Sequence, residues 1–390
     1  MATTFRPYDP DQLLLLPASL RDWLPEGHLA FFVSDAVEAL DLSAFYARYE
    51  GDGRRRQPFE PAMLVKVLIY GYAVGVFSSR QLARRLEEDV AFRVLAAGNF
   101  PAHRTIREFR QLHQTEFAAL FVQVVQLARE AGLVKLGRVG IDGTKVKANA
   151  SKHKAMSYGR MGETEIRLKT EIAELLRQAE AQDAAEDGQY GVERRGDELP
   201  TELARREQRL QVIQAAKARL EARQRAQDAQ DGRQVDDDGN TRGPGGGACQ
   251  RPFGVPEARA QDNFTDPDSR IMKTGDGFQQ CYNAQAAVDE GSQLIVATAL
   301  TNGAADNGQL LPMVEAVQDN TGARPAVTLA DSGYASEATF VALEAQGLTA
   351  VVALGREGKA SRALDPARYP ATQRMAERLA TAEGQAHYRR

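Results

Sequence analysis

The stretch VGIDGTKVKANAS, Val139–Ser151, places one carboxylate, Asp142, at the end of a short apolar run and follows it at once with glycine. The stretch AVTLADSGY, Ala326–Tyr334, repeats this arrangement around Asp331. An aspartate that ends a strand lies at the edge of a sheet, where open α/β sheets bind ligands. If the two strands are neighbours, the paired carboxylates suit a hard divalent cation and phosphodiester chemistry. Either aspartate alone is also compatible with an ordinary turn at a strand end.

The order of the patterns along the chain predicts the fold class. Residues 1–135 repeat apolar side chains at intervals of three and four, which is typical of helices. Later segments are short, rich in valine, isoleucine, alanine and threonine, and bounded by turn residues, as strands are: GRVGIDGTKVKA, CYNAQAAVDE, QLIVATALT, RPAVTLADSGY and LTAVVALG. Helical patterns closed by glycine, residues 306–322 and 336–347, separate the last three. We therefore predict an α/β core that follows an all-helical N-terminal domain.

A long segment separates the first two candidate strands, and a connection of that length is expected to fold separately. Residues 164–182 and 201–224 each carry apolar side chains along one helical face, which predicts an antiparallel helical hairpin. The connector of this hairpin, residues 183–200, and its glycine-rich exit, residues 228–254, are poor in apolar residues. We predict that both are disordered without a partner.

The charge of the chain is unevenly distributed. The formal net charge of −4, taken alone, argues against a nucleic-acid-binding protein. From Arg54 to Arg160, however, 19 basic residues stand against 8 acidic ones. A basic segment within a mildly acidic chain is typical of a surface that contacts phosphates. A solvated helical surface would show the same local excess.

Several other classes of protein are disfavoured by composition and motifs. Cys249 and Cys281 show no CxxC spacing, so the sequence indicates neither a disulfide framework nor a zinc site. The leucine run at residues 13–16 is too short and too near acidic residues for a signal or membrane helix. The sequence has no GxxxxGK[ST] loop, which disfavours a small-molecule phosphohydrolase. We expect a cytoplasmic protein that does not engage a membrane.

Two helix starts suggest a helix-turn-helix within residues 78–114. Ser78, followed three residues later by Gln81, predicts a capping box, and Thr105 is the expected N-cap of a second helix. The second helix would bury one face, formed by Ile106, Phe109 and Leu112. Its opposite face carries residue types that read base edges and phosphates, namely Arg107, Arg110, Gln111 and Gln114. An amphipathic surface helix in which Glu108 pairs with neighbouring arginines would show the same pattern.

Lysines extend the positive charge beyond Asp142. Lys145 and Lys147 share one face of the candidate strand, and Lys152 and Lys154 follow shortly after it. Positive side chains near a carboxylate that binds metal suit a polyanionic substrate. Lysines that protect an edge strand from pairing are the alternative.

Several stretches, found in the expected order, together resemble the bacterial insertion-sequence transposases of the DDE class: FRPYDPDQLLLLPASLRDWLPEGHLAFFV, YGYAVGVFSSRQLARRLEEDVAFRVLA, HRTIREFR, GIDGTKVKANASKHKAMSYGRM, DPDSRIMK, CYNAQAAVD and LADSGY. The resemblance implies an RNase H-like mixed-sheet core in residues 136–160 and 270–390. It also implies a helical DNA-binding domain in residues 1–135. Residues 161–269 would be a helical hairpin inserted between the first two core strands, with a flexible glycine-rich exit.

The same resemblance implies a function and a site. By match, Asp142 and Asp331 are the first and second catalytic aspartates and ligands of two Mg²⁺ or Mn²⁺ ions. The chain would cleave and join insertion-sequence ends, with terminal inverted repeats and target DNA as its double-stranded partners. It would act as a homodimer or larger assembly, in the cytoplasm and at the nucleoid. The expected DNA contacts are Arg84, Arg85, Arg104, Arg107, Arg110, Lys145, Lys147, Lys152 and Lys154.

The resemblance fails at one point. The third acidic ligand of this family is a glutamate in the pattern Y, two residues, R, three residues, E. The stretch HYRR, His387–Arg390, looks like the start of this pattern, whereas Glu377 and Glu383 precede it and do not match. We therefore expect a truncated or frameshifted copy with impaired catalysis. The alternative is a DNA-binding protein or repressor of the intact element without catalysis.

Overall fold

The computed structural model describes residues 19–49, 58–190, 201–236, 239–355 and 365–388. It divides the chain into two compact units. The first comprises Met1–Lys135 with Asp319–Ala323, and the second comprises Leu136–Gln318 with Arg324–Arg390. No helix within the described ranges is both long enough and apolar enough to span a membrane.

The described elements of residues 19–135 are all helical. After a 3-10 turn at Leu20–Trp23 they are α1 (Leu29–Glu38), α2 (Ser43–Ala47), α3 (Pro61–Ala73), α4 (Ser79–Glu88), α5 (Val90–Leu95), α6 (His103–Leu112) and α7 (Gln114–Glu130). Helix α3 is apolar on nearly every side and is largely buried. Leu82 and Leu86 of α4 and Ile106 of α6 join its core, because each helix turns one apolar stripe inward. The arginines of α4 and α6 therefore occupy the opposite, outer faces.

The predicted helix starts of this unit are partly wrong. Ser78 does occupy the N-cap of α4, but its side chain makes no capping hydrogen bond. Helix α6 begins at His103, so Thr105 lies inside the first turn and does not cap it. Its N-cap is Ala102, which has extended backbone and follows the buried Pro101. The helix therefore starts two residues before the polar side chain that was expected to cap it.

The second unit contains a mixed sheet. In chain order the strands are β1 (Arg138–Lys147), β2 (Ala155–Ser157), β3 (Gln234–Val235), β4 (Thr241–Arg242), β5 (Gln261–Asn263), β6 (Arg270–Thr274), β7 (Gly277–Asp289), β8 (Ile295–Thr301), β9 (Val327–Ala330) and β10 (Ala350–Val352). The helices are α8 (Tyr158–Tyr190), α9 (Thr201–Gln230), α10 (Leu310–Thr321), α11 (Glu337–Ala345), α12 (Pro370–Ala380) and α13 (Ala382–Tyr388).

The largest sheet has the order β10-β9-β1-β7-β6, and β8 also pairs with β7. Strands β6, β7 and β8 are antiparallel to their neighbours, whereas β1, β9 and β10 pair in parallel. This confirms the predicted α/β class and the mixed sheet. The sequence prediction missed β6 and began β7 four residues too late, because neither segment shows a long apolar run.

The central strands have one buried face and one open face. Val139, Ile141 and Ala287 are almost completely buried, and Ile141 pairs directly with Ala287 across β1 and β7. Asp142 and Thr144 alternate with them and are exposed. The period of two along a strand thus turns the carboxylate of Asp142 away from the apolar core.

Helices α8 and α9 form an antiparallel pair around a small apolar core, made of Met161, Leu168, Ile213, Ala216 and Leu220. The ion pairs Glu165–Lys217 and Glu171–Arg206, at 3.1 and 3.0 Å, fix the antiparallel direction. Lys217 and Arg206, the two basic residues that interrupt the apolar face of α9, are therefore paired with carboxylates of α8. Helix α8 continues through Tyr190, so residues 183–190 are helical where disorder was predicted. The rest of the predicted connector, residues 191–200, lies outside the described residues.

The glycine-rich exit also differs from the prediction of disorder. A fully buried carboxylate, Asp228, accepts hydrogen bonds from Arg251 Nη2 at 2.5 Å and from the Gly254 amide at 2.8 Å. Arg233 Nη1 lies 3.3 Å from the same carboxylate, and strands β3 and β4 pair within this segment. An arginine-rich segment can pack around one buried anion without a large apolar core, and composition alone does not reveal this.

Candidate catalytic site

Asp331 follows directly after β9, whereas Asp142 lies within the neighbouring strand β1, which continues to Lys147; the prediction that Asp142 ends its strand is therefore wrong. Strands β1 and β9 are parallel, and their register pairs Ile141 with Ala330. Each aspartate is the next residue along its chain, so both come to the same edge of the sheet. Adjacent strands lie only about 4.8 Å apart. Two positions separated by 189 residues in the chain thus become neighbours through one strand pairing.

Each aspartate also accepts a hydrogen bond from the backbone just after it, in strand β1 for Asp142 and in a turn for Asp331. Asp142 Oδ1 accepts the Gly143 amide at 2.7 Å, and Asp331 Oδ1 accepts the Gly333 amide at 2.8 Å. Asp331 is in this way the N-cap of the short 3-10 turn Ser332–Tyr334. Within the described part of the chain, no hydrogen bond reaches Oδ2 of either carboxylate. Accepting a backbone hydrogen bond and binding a metal are therefore compatible, because Oδ1 does the first and Oδ2 is available for the second.

Tyr334 is a fully buried hydroxyl group close to both aspartates. Its hydroxyl donates a hydrogen bond to Gln285 Oε1. Burial raises the pKa of Tyr334 well above its usual range, and the charges of Asp306, Asp142 and Asp331 raise it further. The charges of three carboxylates therefore all oppose ionisation of this hydroxyl.

Asp306, in the loop between β8 and α10, is a residue that sequence reasoning missed. Its Oδ1 accepts hydrogen bonds from Asn283 Nδ2 at 2.7 Å and Gln285 Nε2 at 2.9 Å, and Lys145 Nζ lies 3.3 Å away. Burial raises the pKa of this carboxyl, but the two carboxamides and the Lys145 charge outweigh burial and lower it overall. The available signal was the pair of carboxamides in the strand CYNAQAAVD, since buried amides require polar partners.

The lysines near Asp142 do not form one basic surface. Lys145 is only 21% exposed and pairs with Asp306. Strand alternation places Lys145 and Lys147 on the face opposite Asp142, not beside it as the sequence interpretation assumed. Lys147 and Lys154 are exposed, and Lys152 lies in a short 3-10 turn, Lys152–Lys154.

The predicted DNA contacts of the helical unit divide into two kinds. Most are exposed, either alone or in surface ion pairs, which contribute little free energy. They are Arg84, paired with Glu88 at 3.2 Å, Arg85 with Asp89 at 3.6 Å, Arg107 with Glu108 at 3.8 Å, and the exposed Arg104. Arg110 differs, because its Nη1 donates to the Tyr72 hydroxyl and the Phe77 carbonyl, both at 3.1 Å. Leu112, expected on the buried face, is 42% exposed.

An open depression of about 550 Å³ borders Asp142. The side chains that surround it on the open face of the sheet are small or short, namely Thr144, Ala284, Ala286 and Thr298, with Leu300 at the rim. No bulky side chain among these lining residues obstructs access to the carboxylate. The side chains that border Asp142 on this face are therefore mostly short.

The oxygen ligands of the site suit a hard cation, but the described residues bring too few of them together. Carboxylate oxygens are the ligands that Mg²⁺ and Mn²⁺ prefer. Among the described residues, however, no group of three or more histidine, cysteine, aspartate or glutamate side chains is arranged to hold a metal ion. Residues 389–390, where the sequence pattern for a third acid would continue, lie outside the described residues.

Residues 18–112 match the family described as Transposase domain (DUF772), and residues 251–389 match the family described as Transposase DDE domain. No curated protein and no solved structure matches the chain significantly. The two matches support an insertion-sequence DDE transposase. Proteins with this domain are enzymes that act on DNA and generally use divalent metals.

Proposed function

We propose that this protein cleaves and joins the DNA ends of an insertion sequence by two-metal phosphodiester chemistry. The observation that carries the proposal is that Asp142, within β1, and Asp331, just after β9, are the residues that follow the last pair of these two adjacent parallel strands, Ile141 and Ala330. Each carboxylate would bind metal through Oδ2, because Oδ1 accepts a backbone hydrogen bond. Bound Mg²⁺ or Mn²⁺ would supply activation of the attacking oxygen and stabilisation of the leaving oxygen.

The strand order supports an RNase H-like core. In the order β8-β7-β1-β9-β10, strand β7 is antiparallel to both β8 and β1, and β9 and β10 run parallel to β1. Helices α8 and α9, which lie in the chain between β1 and β7, would then be the insertion within this core. A pair of helices held by its own apolar seam and ion pairs can be accommodated there without changing the sheet.

The chain's own residues have three roles in this mechanism. Asp142 and Asp331 supply negative charge at the sheet edge. The backbone amides of Gly143 and Gly333 hold one oxygen of each carboxylate and so fix its orientation. The small side chains beside Asp142 leave space for a DNA strand.

The helical unit would bind double-stranded DNA through the exposed arginines of α4 and α6, which pack against each other. Arginine on an outer helix face suits phosphate contacts and, in a groove, base edges. The terminal inverted repeats would be the specific sites. Synapsis of two ends would require at least two copies of the chain.

Metal-directed cleavage of the polypeptide tests the site directly. Fe²⁺ takes the place of Mg²⁺, and with ascorbate and peroxide the bound ion produces radicals that cut the nearby backbone. We expect cuts close to residues 142 and 331 in the same sample. Asp142→Asn or Asp331→Asn is expected to abolish both cuts, because each variant removes a shared ligand.

A matched control is Asp276→Asn, which makes the same chemical change at an exposed turn between β6 and β7. It is expected to leave the cuts unchanged. Mg²⁺-dependent nicking of supercoiled DNA is measured on the same variants. Salt-sensitive DNA binding without local cuts or nicking would refute the catalytic proposal and favour a repressor.

A further inference from the structure

A buried hydrogen-bonded group connects the two halves of the candidate site. It consists of Lys145, Asn283, Gln285, Asp306 and Tyr334, and is called here the carboxamide network. Tyr334 donates to Gln285 Oε1, which leaves Gln285 Nε2 to donate to Asp306 Oδ1 and Asn283 Oδ1. Asn283 Nδ2 donates to Asp306 as well, so the orientation of both amides is determined by their partners.

The network packs directly against Gly143, the residue of β1 that follows Asp142. A Cβ atom built on Gly143 would lie 2.4 Å from Gln285 Nε2 and 2.6 Å from Asp306 Oδ1. Only a residue without a side chain leaves room for these two groups. The Gly143 amide is also the donor that holds Asp142 Oδ1. The position of Gln285 and Asp306 therefore limits where the carboxylate of Asp142 can be.

The network also reaches the turn that follows Asp331. Tyr334 ends that turn, and its hydroxyl bond to Gln285 ties the turn to β7. A Cβ atom on Gly333 would lie 3.3 Å from Asp306 Oδ2 and 3.0 Å from Asp331 Oδ1. Asp306 thus borders both glycines whose amides orient the candidate ligands.

We infer that Asp306 and Gln285 are positioning residues that set the relative placement of the Asp142 and Asp331 carboxylates for metal binding. The inference rests on the proposed function, in which those two aspartates hold the metal. A fully satisfied buried network is rigid, because each member loses its partners if one moves. Groups that orient metal ligands commonly change metal affinity by about 10-fold to 100-fold when they are replaced.

A purely structural role would predict something different. The network could simply stabilise the junction of β7, β1 and the β8–α10 loop. Replacing a member would then lower the stability of the unit without changing the metal affinity of the folded protein. The two roles are separated by measuring metal binding under conditions in which every variant is folded.

Two kinds of variant test the inference in the full chain. Asp306→Asn and Tyr334→Phe remove one charge and one hydroxyl from the network. Gly143→Ala instead inserts a methyl group against Gln285 and Asp306. Its matched control is Gly140→Ala in the same strand, where a Cβ atom would meet nothing within 4 Å.

Mn²⁺ affinity is the first readout. We expect at least about 10-fold weaker binding for Asp306→Asn, Tyr334→Phe and Gly143→Ala, and no change for Gly140→Ala. Asp142→Asn is measured in parallel. If Asp142→Asn leaves Mn²⁺ binding unchanged, or if the unmodified chain binds no Mn²⁺, the proposed function fails.

Hydrogen exchange of the metal-free protein is the second readout, and it tests the positioning itself. The amides of Gly143 and Gly333 are expected to exchange faster in the network variants, while β10 and α11 keep their protection. If Asp142→Asn abolishes binding but the network variants keep both affinity and protection, the positioning inference alone is overturned. Global loss of protection in Asp306→Asn and Tyr334→Phe would also overturn it, because the network would then be a folding element.

Discussion

The two neighbouring arginines Arg107 and Arg110 are expected to behave oppositely when each is replaced by alanine. Arg107 is 54% exposed, and its carboxylate partner is 3.8 Å away, so its charge is available to a phosphate. Arg110 is committed to the Tyr72 hydroxyl and the Phe77 carbonyl. The proposed DNA contact and the structural contact thus lie one helical turn apart on α6.

The magnitude follows from counterion release. Each phosphate contact adds about 0.9 to the slope of log affinity against log salt, so the four exposed arginines among the predicted DNA contacts together give a slope of about −3.6. Raising the salt from about 50 to about 200 mM then weakens binding roughly 150-fold, of which a single arginine accounts for about 3.5-fold. The four are Arg84, Arg85, Arg104 and Arg107.

Titration of the full chain with a short DNA duplex, at several salt concentrations, measures this slope. Arg107→Ala is expected to reduce its size by about 0.9. Arg110→Ala is expected to leave the slope nearly unchanged and to destabilise the fold by about 1 kcal/mol through two lost hydrogen bonds. Arg259→Ala, an equal change of charge in the second unit, is the control. A slope that falls for Arg110→Ala but not for Arg107→Ala would refute this reasoning.

Three further predictions concern stability. Burial raises the pKa of Asp228, but hydrogen bonds from arginine and backbone amide outweigh it and lower the pKa from 3.8 to about 2. Asp228→Asn is therefore expected to cost roughly 2 kcal/mol near neutral pH. In urea unfolding this difference should shrink as pH falls below 3.8 towards about 2; an equal difference at both ends would contradict it. Gly71→Ala places Cβ 2.4 Å from Leu82 Cδ2. It is expected to destabilise the helical unit by about 1–3 kcal/mol. Gly162→Ala has open space around it and is expected to stabilise α8 by up to about 1 kcal/mol. Thermal melts showing the reverse order would be inconsistent with the packing. Ile213→Ala is expected to loosen the α8–α9 pair by about 2–5 kcal/mol, and hydrogen exchange should show lost protection there but not in β1 or β7.

The amino-acid sequence by itself determined the order of elements and the two aspartates that end apolar runs. Apolar residues at a period of two or of three to four report directly on strands and helices, since each element turns one side inward. Asp142 and Asp331 were recognisable because each ends such a run. The same local patterns failed at Thr105, which lies inside the first turn of α6, and at Ser78, whose side chain makes no capping hydrogen bond.

Only the tertiary structure decided which groups act on those aspartates. Lys145 and Asp306 are 161 residues apart in the chain, and neither lies in a pattern that points to the other. Sequence reasoning treated this lysine as a DNA contact, because a local pattern reveals a charge but not its partner. The prediction of disorder around Asp228 is wrong for the same reason. A buried polar group satisfies its hydrogen bonds across whatever strands and loops the fold brings together, and that information is not local to any stretch of sequence.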